Sequence, residues 1–294
     1  MESTPPIRLA LIHAIKAERA AWASRLHQAT VAQFDDFQQF TDRTGTFDLV
    51  LLGASHDPKI VHSLLASKLN VFLVADRVPS VSVVESLYAT AHAGGVQLLV
   101  VNPDCFLPSR QLIRRQVGST LGEAGLIRSH RWLPGLTESE FSDRLVRDVD
   151  SILWLAGRLP DRVFALESKE AGSLGRYVQV HLGFPGGGMA LLDLTSRLPA
   201  GDEYASLSVI AASGAAYADD HHNMQLVYRG DRPQGLRTDE RTRQYAAMAQ
   251  EAIDAISSKR DCSAGLTEWN NVWNVADAVG RSIASGQAIA LGGE

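Results

Sequence analysis

Apolar residues in this chain follow two rhythms. Ile7 to Ile12, Phe47 to Gly53, Val71 to Val74 and Val96 to Val101 are short, nearly unbroken runs, the pattern of strands buried on both faces. Between them lie segments with helical spacing: about Ala17 to Gln28, Ile60 to Leu69 and Ser82 to Ala93, the last stopped by Gly94-Gly95. Val31 to Phe34 supplies another strand, and Gln111 to Gln116 begins a linking helix. Strands that alternate with helices predict a parallel sheet covered on both sides.

The rhythm changes past residue 120. Glu140 to Gly157 reads as a helix, because Leu145, Val149, Ile152 and Ala156 fall on one stripe and Gly157 stands at the expected stop. Asp161 to Leu166, Tyr177 to Phe184, Met189 to Thr195, Ala205 to Ala212, Gly214 to Tyr217 and Asn223 to Tyr228 read as strands. Turn signals such as Gly186-Gly187-Gly188 separate them, which predicts antiparallel pairing. Thr238 to Ser257 and Trp269 to Gly286 predict two long helices. The expected fold is α/β, a parallel-sheet domain over residues 1–120 followed by an α+β domain over 121–294 with an open, mostly antiparallel sheet.

Composition narrows the function classes. With 294 residues, 45% hydrophobic and 21% charged, the chain is long enough for two ordinary globular domains. A net charge of −5 offers no electrostatic footprint for nucleic acid. The apolar runs stop far short of the roughly 20 residues a membrane helix needs, and Met1 to Pro6 has neither the basic start nor the apolar middle of a signal peptide. Two distant cysteines, Cys105 and Cys262, argue against a disulfide framework, so a cytoplasmic protein is the expectation.

Chemistry concentrates on the helix at 140–157. Asp143, Arg147 and Asp150 are spaced i, i+4, i+7 and share one side of it. The plain reading is a solvated ladder worth a few tenths of a kcal/mol per pair. Asp143, Arg147, Asp150, Trp154, Leu155 and Gly157 also resemble the central helix of the Gfo/Idh/MocA oxidoreductases, Asp-x-x-x-His-x-x-Asp-x-x-x-Trp/Tyr-Leu-x-Gly. The resemblance extends over nearly the whole chain, through Phe106 and Pro108, Leu121-Gly122 and the ending Ser282-x-x-Ser285-Gly286. It implies a Rossmann-like first domain, a second domain whose sheet face makes oligomers, and a sugar- or cyclitol-like substrate oxidised by NAD(P).

The motifs that would perform that oxidation are altered. Arg147 stands where the family has its catalytic histidine, and a guanidinium does not titrate near neutrality. After the first strand the family carries Gly-x-Gly-x-x-Gly, which lets backbone approach a pyrophosphate. This chain has His13-Ala14-Ile15-Lys16-Ala17-Glu18 instead, with no glycine between Met1 and Thr44. Ala54-Ser55 replaces the family's Thr-Pro, and Val74-Ala75-Asp76 replaces Glu-Lys-Pro. Arg77, two residues late, is the nearest cation and replaces the lysine only if the strand end is shifted or bulged.

No cofactor is therefore expected, or NAD(P) if the protein is active. In that case His13, Ile15, Asp35 and Ala54 are the positions that would face it, Asp35 through a ribose hydroxyl. The expected catalytic set is Asp143, Arg147 and Arg77, and the substrate-binding set is Asp143, Arg147, Asp150 and Phe106. The leading expectation is a homologue without ordinary dehydrogenase activity that binds a small polar sugar- or cyclitol-like ligand, or serves as the non-catalytic subunit of an active partner. The alternatives are an active NAD(P)-dependent sugar or cyclitol oxidoreductase, and a nicotinamide-independent lyase or hydrolase using Asp143 and Arg147. A homo-oligomer or a hetero-oligomer with a family paralogue is expected. No metal is expected: Asp219-Asp220-His221-His222 reads as a surface turn, since adjacent histidines on a strand face opposite ways. His56-Asp57 with His62 reads as a helix start at Asp57-Pro58.

Overall fold

In the computed structural model the described residues are 5–12, 23–41, 47–53, 56–168, 175–200, 203–219, 224–229, 232–236 and 240–292. The chain divides into two compact units, one of Met1–Phe106 with Arg241–Asn270, the other of Leu107–Glu240 with Asn271–Glu294. The sequence expectation of 1–120 and 121–294 drew a single boundary. The chain instead returns to its first unit late, because the stripe of a late helix completes the first sheet's core.

That sheet is built from β1 (Ile7–Ile12), β2 (Ala29–Phe34), β3 (Leu49–Gly53), β4 (Asn70–Val74) and β5 (Leu98–Val101), in the order β2-β1-β3-β4-β5. Every neighbouring pair is parallel. Leu9, Leu11, Leu49, Leu51, Phe72 and Leu99 project to one side of it, where Met248, Ala249, Ala252 and Ile253 meet them. Those four lie one helical stripe apart on the late helix Glu240–Ser257. Short helix α1 (Phe37–Thr41) follows β2, and α2 (Pro58–Ala66) and α3 (Val81–Gly94) connect β3 to β4 and β4 to β5. Asp57 caps α2 by accepting the Lys59 N–H at 2.9 Å, with Pro58 in its first turn. His62 is held between Thr90 Oγ1 at 2.9 Å and Ser86 Oγ at 3.3 Å, a clasp between α2 and α3. The helix-start reading of Asp57 is thus correct, and both ring nitrogens of His62 are engaged in packing. α3 stops at Gly95, whose φ of 66° is the left-handed conformation glycine adopts without strain.

The second unit opens with α4 (Pro108–Gln116) and a turn of π-helix. Then follow β6 (Ala124–Pro134), α5 (Glu138–Ala156), β7 (Arg162–Ser168), β8 (Tyr177–Gly183), β9 (Met189–Leu198), β10 (Tyr204–Ala211), β11 (Gly214–Asp219), β12 (Met224–Arg229) and β13 (Arg232–Leu236). After α6 (Glu240–Ser257) and α7 (Ala264–Ser285), β14 (Ile289–Ala290) completes a nine-stranded sheet. Its order is β13-β12-β11-β10-β6-β9-β8-β7-β14. All pairs are antiparallel except β6 with β9. β6, β13 and β14 were absent from the sequence expectation. β6 shows no apolar run at Arg128 to Arg131, which are polar, yet it is flanked by β10 and β9.

α5 covers one face of this sheet. Thr137 and Glu140 form a capping box at its start, and Gly157, at φ 67°, ends it. Ser282 on α7 is wholly buried, where its hydroxyl accepts the Ala165 N–H at 2.9 Å and donates to the Gln287 carbonyl at 2.6 Å. The Ser-x-x-Ser-Gly ending thereby ties the closing helix to β7.

Candidate functional site

α5 carries two sets of charges on different sides. Asp143, Arg147 and Asp150 are half-buried, and each has an interaction partner. The inward side holds a second set that the sequence reading missed. Asp148 Oδ2 accepts from Arg144 Nε at 3.1 Å and Oδ1 from Arg144 Nη2 at 2.6 Å. Arg131, on the inner face of β6, reaches the same Oδ1 at 3.4 Å. Side-chain exposures of 8%, 8% and 1% place both guanidiniums and the carboxylate in the interior.

The expected apolar stripe is accordingly corrected. Val149 and Ile152 are buried, Leu145 and Ala156 only half so, and Phe141, Arg144, Val146, Asp148, Leu153 and Leu155 complete the inward side. Ion pairing makes this possible, since a charge enters an interior when a partner neutralises it. A signal was present: Arg144 and Asp148 are themselves an i, i+4 pair.

Both ends of α5 are fixed by arginines. Arg176 pairs with Glu138 and Glu167 and lies over the Phe141 ring at 4.5 Å. Arg114 donates to the Leu155 carbonyl at 2.9 Å and lies 5.6 Å from the centre of the Trp154 ring. A cation on the last carbonyls suits the negative end of the helix dipole. Trp154, the aromatic position of the Gfo/Idh/MocA frame, is therefore a packing surface for Arg114.

At the carboxyl edge of the first unit's sheet the alignment is decided by hydrogen bonds. The Ala75 N–H donates to the Val101 carbonyl at 2.8 Å, the last bond of the β4–β5 ladder, and the Asp76 N–H then donates to the Val74 carbonyl at 2.9 Å, so the chain turns at Ala75. Ala75 is wholly buried and Arg77 is exposed, three residues beyond the end of β4. Asp76 lies against Gly53 at the end of β3: a Cβ on Gly53 would come within 2.6 Å of Asp76 Oδ2. His56 Nδ1 sits 2.9 Å from the Gly53 carbonyl oxygen. Phe106 packs against the sheet's core, which explains its apolar character without a ligand.

The residues expected to face a dinucleotide are partly outside the description: His13, Ile15 and Ala54 are not among the described residues. Asp35 is exposed, and its N–H donates to Gln39 Oε1 at 3.2 Å. Asp36 Oδ1 accepts the Gln39 N–H at 2.8 Å, a reciprocal cap for α1. Open parallel sheets bind dinucleotides at this carboxyl edge. Here the described part of the edge presents the Asp76 carboxylate against Gly53 and a methyl group at Ala75.

The outer face of the nine-stranded sheet carries a further polar cluster. Asp193 Oδ2 accepts from His130 Nδ1 at 3.1 Å and from Trp132 Nε1 at 3.3 Å. Burial pushes the Asp193 carboxyl up, but hydrogen bonds from His130, Tyr177 and Trp132 more than offset it and hold the group below the usual carboxylate range. Trp132 leans on Tyr204 with ring centres 4.8 Å apart, and the Tyr204 and Tyr217 hydroxyls are 3.4 Å apart. Among the described residues no cluster of three or more His, Cys, Asp or Glu has the arrangement of a metal site. His221 and His222 are outside the described residues, and Asp219 is buried at the end of β11. No described helix is long and apolar enough to cross a membrane.

No family model matches the sequence, and no curated protein matches it. Solved structures do match in fold. UDP-N-acetylglucosamine 3-dehydrogenase GnnA from Acidithiobacillus ferrooxidans superposes with a TM-score of 0.74 at 15% identity, over 96% of this chain and 99% of that one. Aldose-aldose oxidoreductase from Caulobacter crescentus gives 0.75 at 14% identity, over 97% and 100%. GenD2 from gentamicin A biosynthesis, solved in complex with NAD, gives 0.68 at 19% identity, over 100% and 98%. The fold is that of Gfo/Idh/MocA-type oxidoreductases, as the central helix suggested.

Proposed function

We propose that this protein keeps the oxidoreductase fold without ordinary nicotinamide-dependent dehydrogenase activity. It binds a sugar- or cyclitol-like ligand through Asp143 and Arg147, or serves as the non-catalytic subunit of an active partner. The observation that carries this reading is Ala75, a buried methyl group just past the end of β4, where the resemblance would place the family's lysine. With Arg147 at the histidine position, neither of those two proton-handling groups remains.

The neighbour solved with NAD supports a second reading, an active NAD(P)-dependent oxidoreductase of sugars or cyclitols with a rebuilt phosphate loop. Thermal unfolding separates the two. A ligand at a hundred times its Kd adds about 2.7 kcal/mol of stability. Under the proposed reading, millimolar NAD(H) and NADP(H) leave the melting temperature unchanged. A rise of several degrees, or a crystal soak with a dinucleotide across residues 13 to 18, would support the active enzyme instead.

Assembly is part of the same proposal. Trp132, Leu166, Met189 and Ile210, at 36%, 50%, 52% and 49% exposure, all belong to the outer face of the nine-stranded sheet. Large apolar side chains exposed on one sheet face support a face covered by another copy or a paralogue. β8 contributes Tyr177, Gln179 and His181 to this face, so its outward side is more polar than a plain apolar strand. Sedimentation at micromolar concentration should give a dimer or larger species, with Trp132→Glu shifting it towards monomer. A wild-type protein that sediments strictly as a monomer would overturn the assembly reading.

A further inference from the structure

The outer face of the nine-stranded sheet carries an ion pair at its middle. β6 is the central strand of the order, and β9 is its neighbour. Register sets His130 of β6 beside Asp193 of β9 on one side and Ser206 of β10 on the other, with Asp219 of β11 next in the row. Side chains directly opposite one another share a face, so all four look outward. His130 Nδ1 lies 3.1 Å from Asp193 Oδ2, and the two side chains are 38% and 15% exposed. Burial works against the Asp193 carboxylate, but hydrogen bonds from His130, Tyr177 and Trp132 outweigh it and keep the group ionised. Imidazole is the side chain whose charge ordinarily changes between roughly pH 5 and 8. The pair therefore carries one negative charge when the imidazole is neutral and none when it is protonated.

The other charges on this face do not do that work. Arg128, the outward residue of β6 before His130, is balanced by Asp219 in the same central rows. Arg162 stands at the first position of β7, and Arg197 near the end of β9 donates to the Ser168 and Gly175 carbonyls. His181 on β8 leans on Phe164, with ring centres 6.1 Å apart. The Tyr177 hydroxyl is pushed up by burial and by Asp193, so it stays neutral. Among the described residues, the charge of Asp193 is left to His130.

The face is also large enough for a stable contact. The six strands from β11 to β7, roughly 4.8 Å apart and about seven residues long, span roughly 29 by 23 Å. That is about 650 Å² before side-chain relief, near the roughly 800 Å² that each partner of a stable complex covers.

We propose that a second copy of this chain closes the face and that closing it takes up protons at His130, an inference that rests on the assembly reading above. An isologous contact centred on the face sets β6 against β6 of the second copy. With both imidazoles neutral, two carboxylates enter the contact with neutral donors alone, and desolvating them opposes association. With both protonated, each carboxylate enters already paired. Association thus favours the protonated form. Its contribution is fully present below the range in which the imidazole titrates and is lost as pH rises through it.

Sedimentation at pH 6 and pH 8, at equal ionic strength, tests this. The dissociation constant of the dimer should be at least about tenfold lower at pH 6, since one linked proton changes it up to about tenfold per pH unit. His130→Asn keeps a donor for Asp193 but cannot titrate, and its two constants should agree within about threefold. Asp193→Asn leaves the imidazolium unpaired and should reverse the order, with the tighter dimer at pH 8. His181→Asn should keep the wild-type dependence. A wild-type dimer with equal constants at the two pH values overturns the proposal and leaves the assembly reading standing. A His130→Asn dimer that keeps the tenfold difference overturns it too. A strict monomer at both pH values overturns the assembly reading itself, and the proposal with it.

Discussion

Asp148→Ala should destabilise the second unit by about 3–5 kcal/mol, the range for removing one partner of a buried ion pair. The carboxylate is 1% exposed, and it accepts from Arg144 at 2.6 and 3.1 Å and from Arg131 at 3.4 Å. Removing it leaves Arg131, 7% exposed, without its Asp148 partner. The contrast is with a surface pair such as Arg281 with Asp277, whose side chains are 56% and 71% exposed and whose loss should cost less than about 1 kcal/mol. Urea unfolding followed by tryptophan fluorescence reads both changes. If Asp148→Ala costs no more than Asp277→Ala, the interior cluster is hydrated and does not hold α5 to the sheet. Replacing Arg131, Arg144 and Asp148 together by apolar residues of similar size should recover much of the loss, because an unpaired charge is what the single change leaves behind.

The same cluster shows where sequence reading stops. Apolar runs marked β1, β3, β4 and β5 because strands buried on both faces leave no polar position to confuse the pattern. Gly95 and Gly157 marked two helix ends because only glycine takes the left-handed turn without strain. β6 was not legible: its inward residues include Ser129 and Arg131, and what makes Arg131 acceptable there is Asp148, seventeen residues on and on another element. The return of α6 to the first sheet has the same origin. Its stripe of Met248, Ala249, Ala252 and Ile253 announces an apolar face, but the strands that face meets lie about 150 residues or more earlier. Side chains at the candidate site divide likewise. The frame Asp143, Arg147, Asp150 is a local spacing and was visible; the Asp193 cluster joins His130 and Trp132 of β6 to β9 and needs the sheet register to appear.

Arg147→Ala distinguishes a ligand anchor from a residue kept for packing. Arg147 is half-buried on the side of α5 that carries Asp143 and Asp150, away from the Arg144–Asp148 pair. If Arg147 only completes a charge ladder on that side, its loss should cost well under about 1 kcal/mol of stability and leave ligand affinity unaltered. If it grips a ligand, stability should hardly move while affinity falls by about 2 kcal/mol or more, roughly thirtyfold, because a charge-assisted two-pronged contact is lost. We expect the second outcome. A guanidinium cannot relay the proton that the family's histidine relays, but its planar fork matches a carboxylate or a phosphate oxygen pair. Arg147→Lys should recover little of the affinity, since an ammonium offers a point charge without the fork, and Arg147→His should not restore hydride chemistry while Ala75 stands at the lysine position. Calorimetric titration of wild type and Arg147→Ala against sugar acids, sugar phosphates and cyclitols measures the difference. A ligand that binds both proteins equally would show that α5 retains its frame for packing alone.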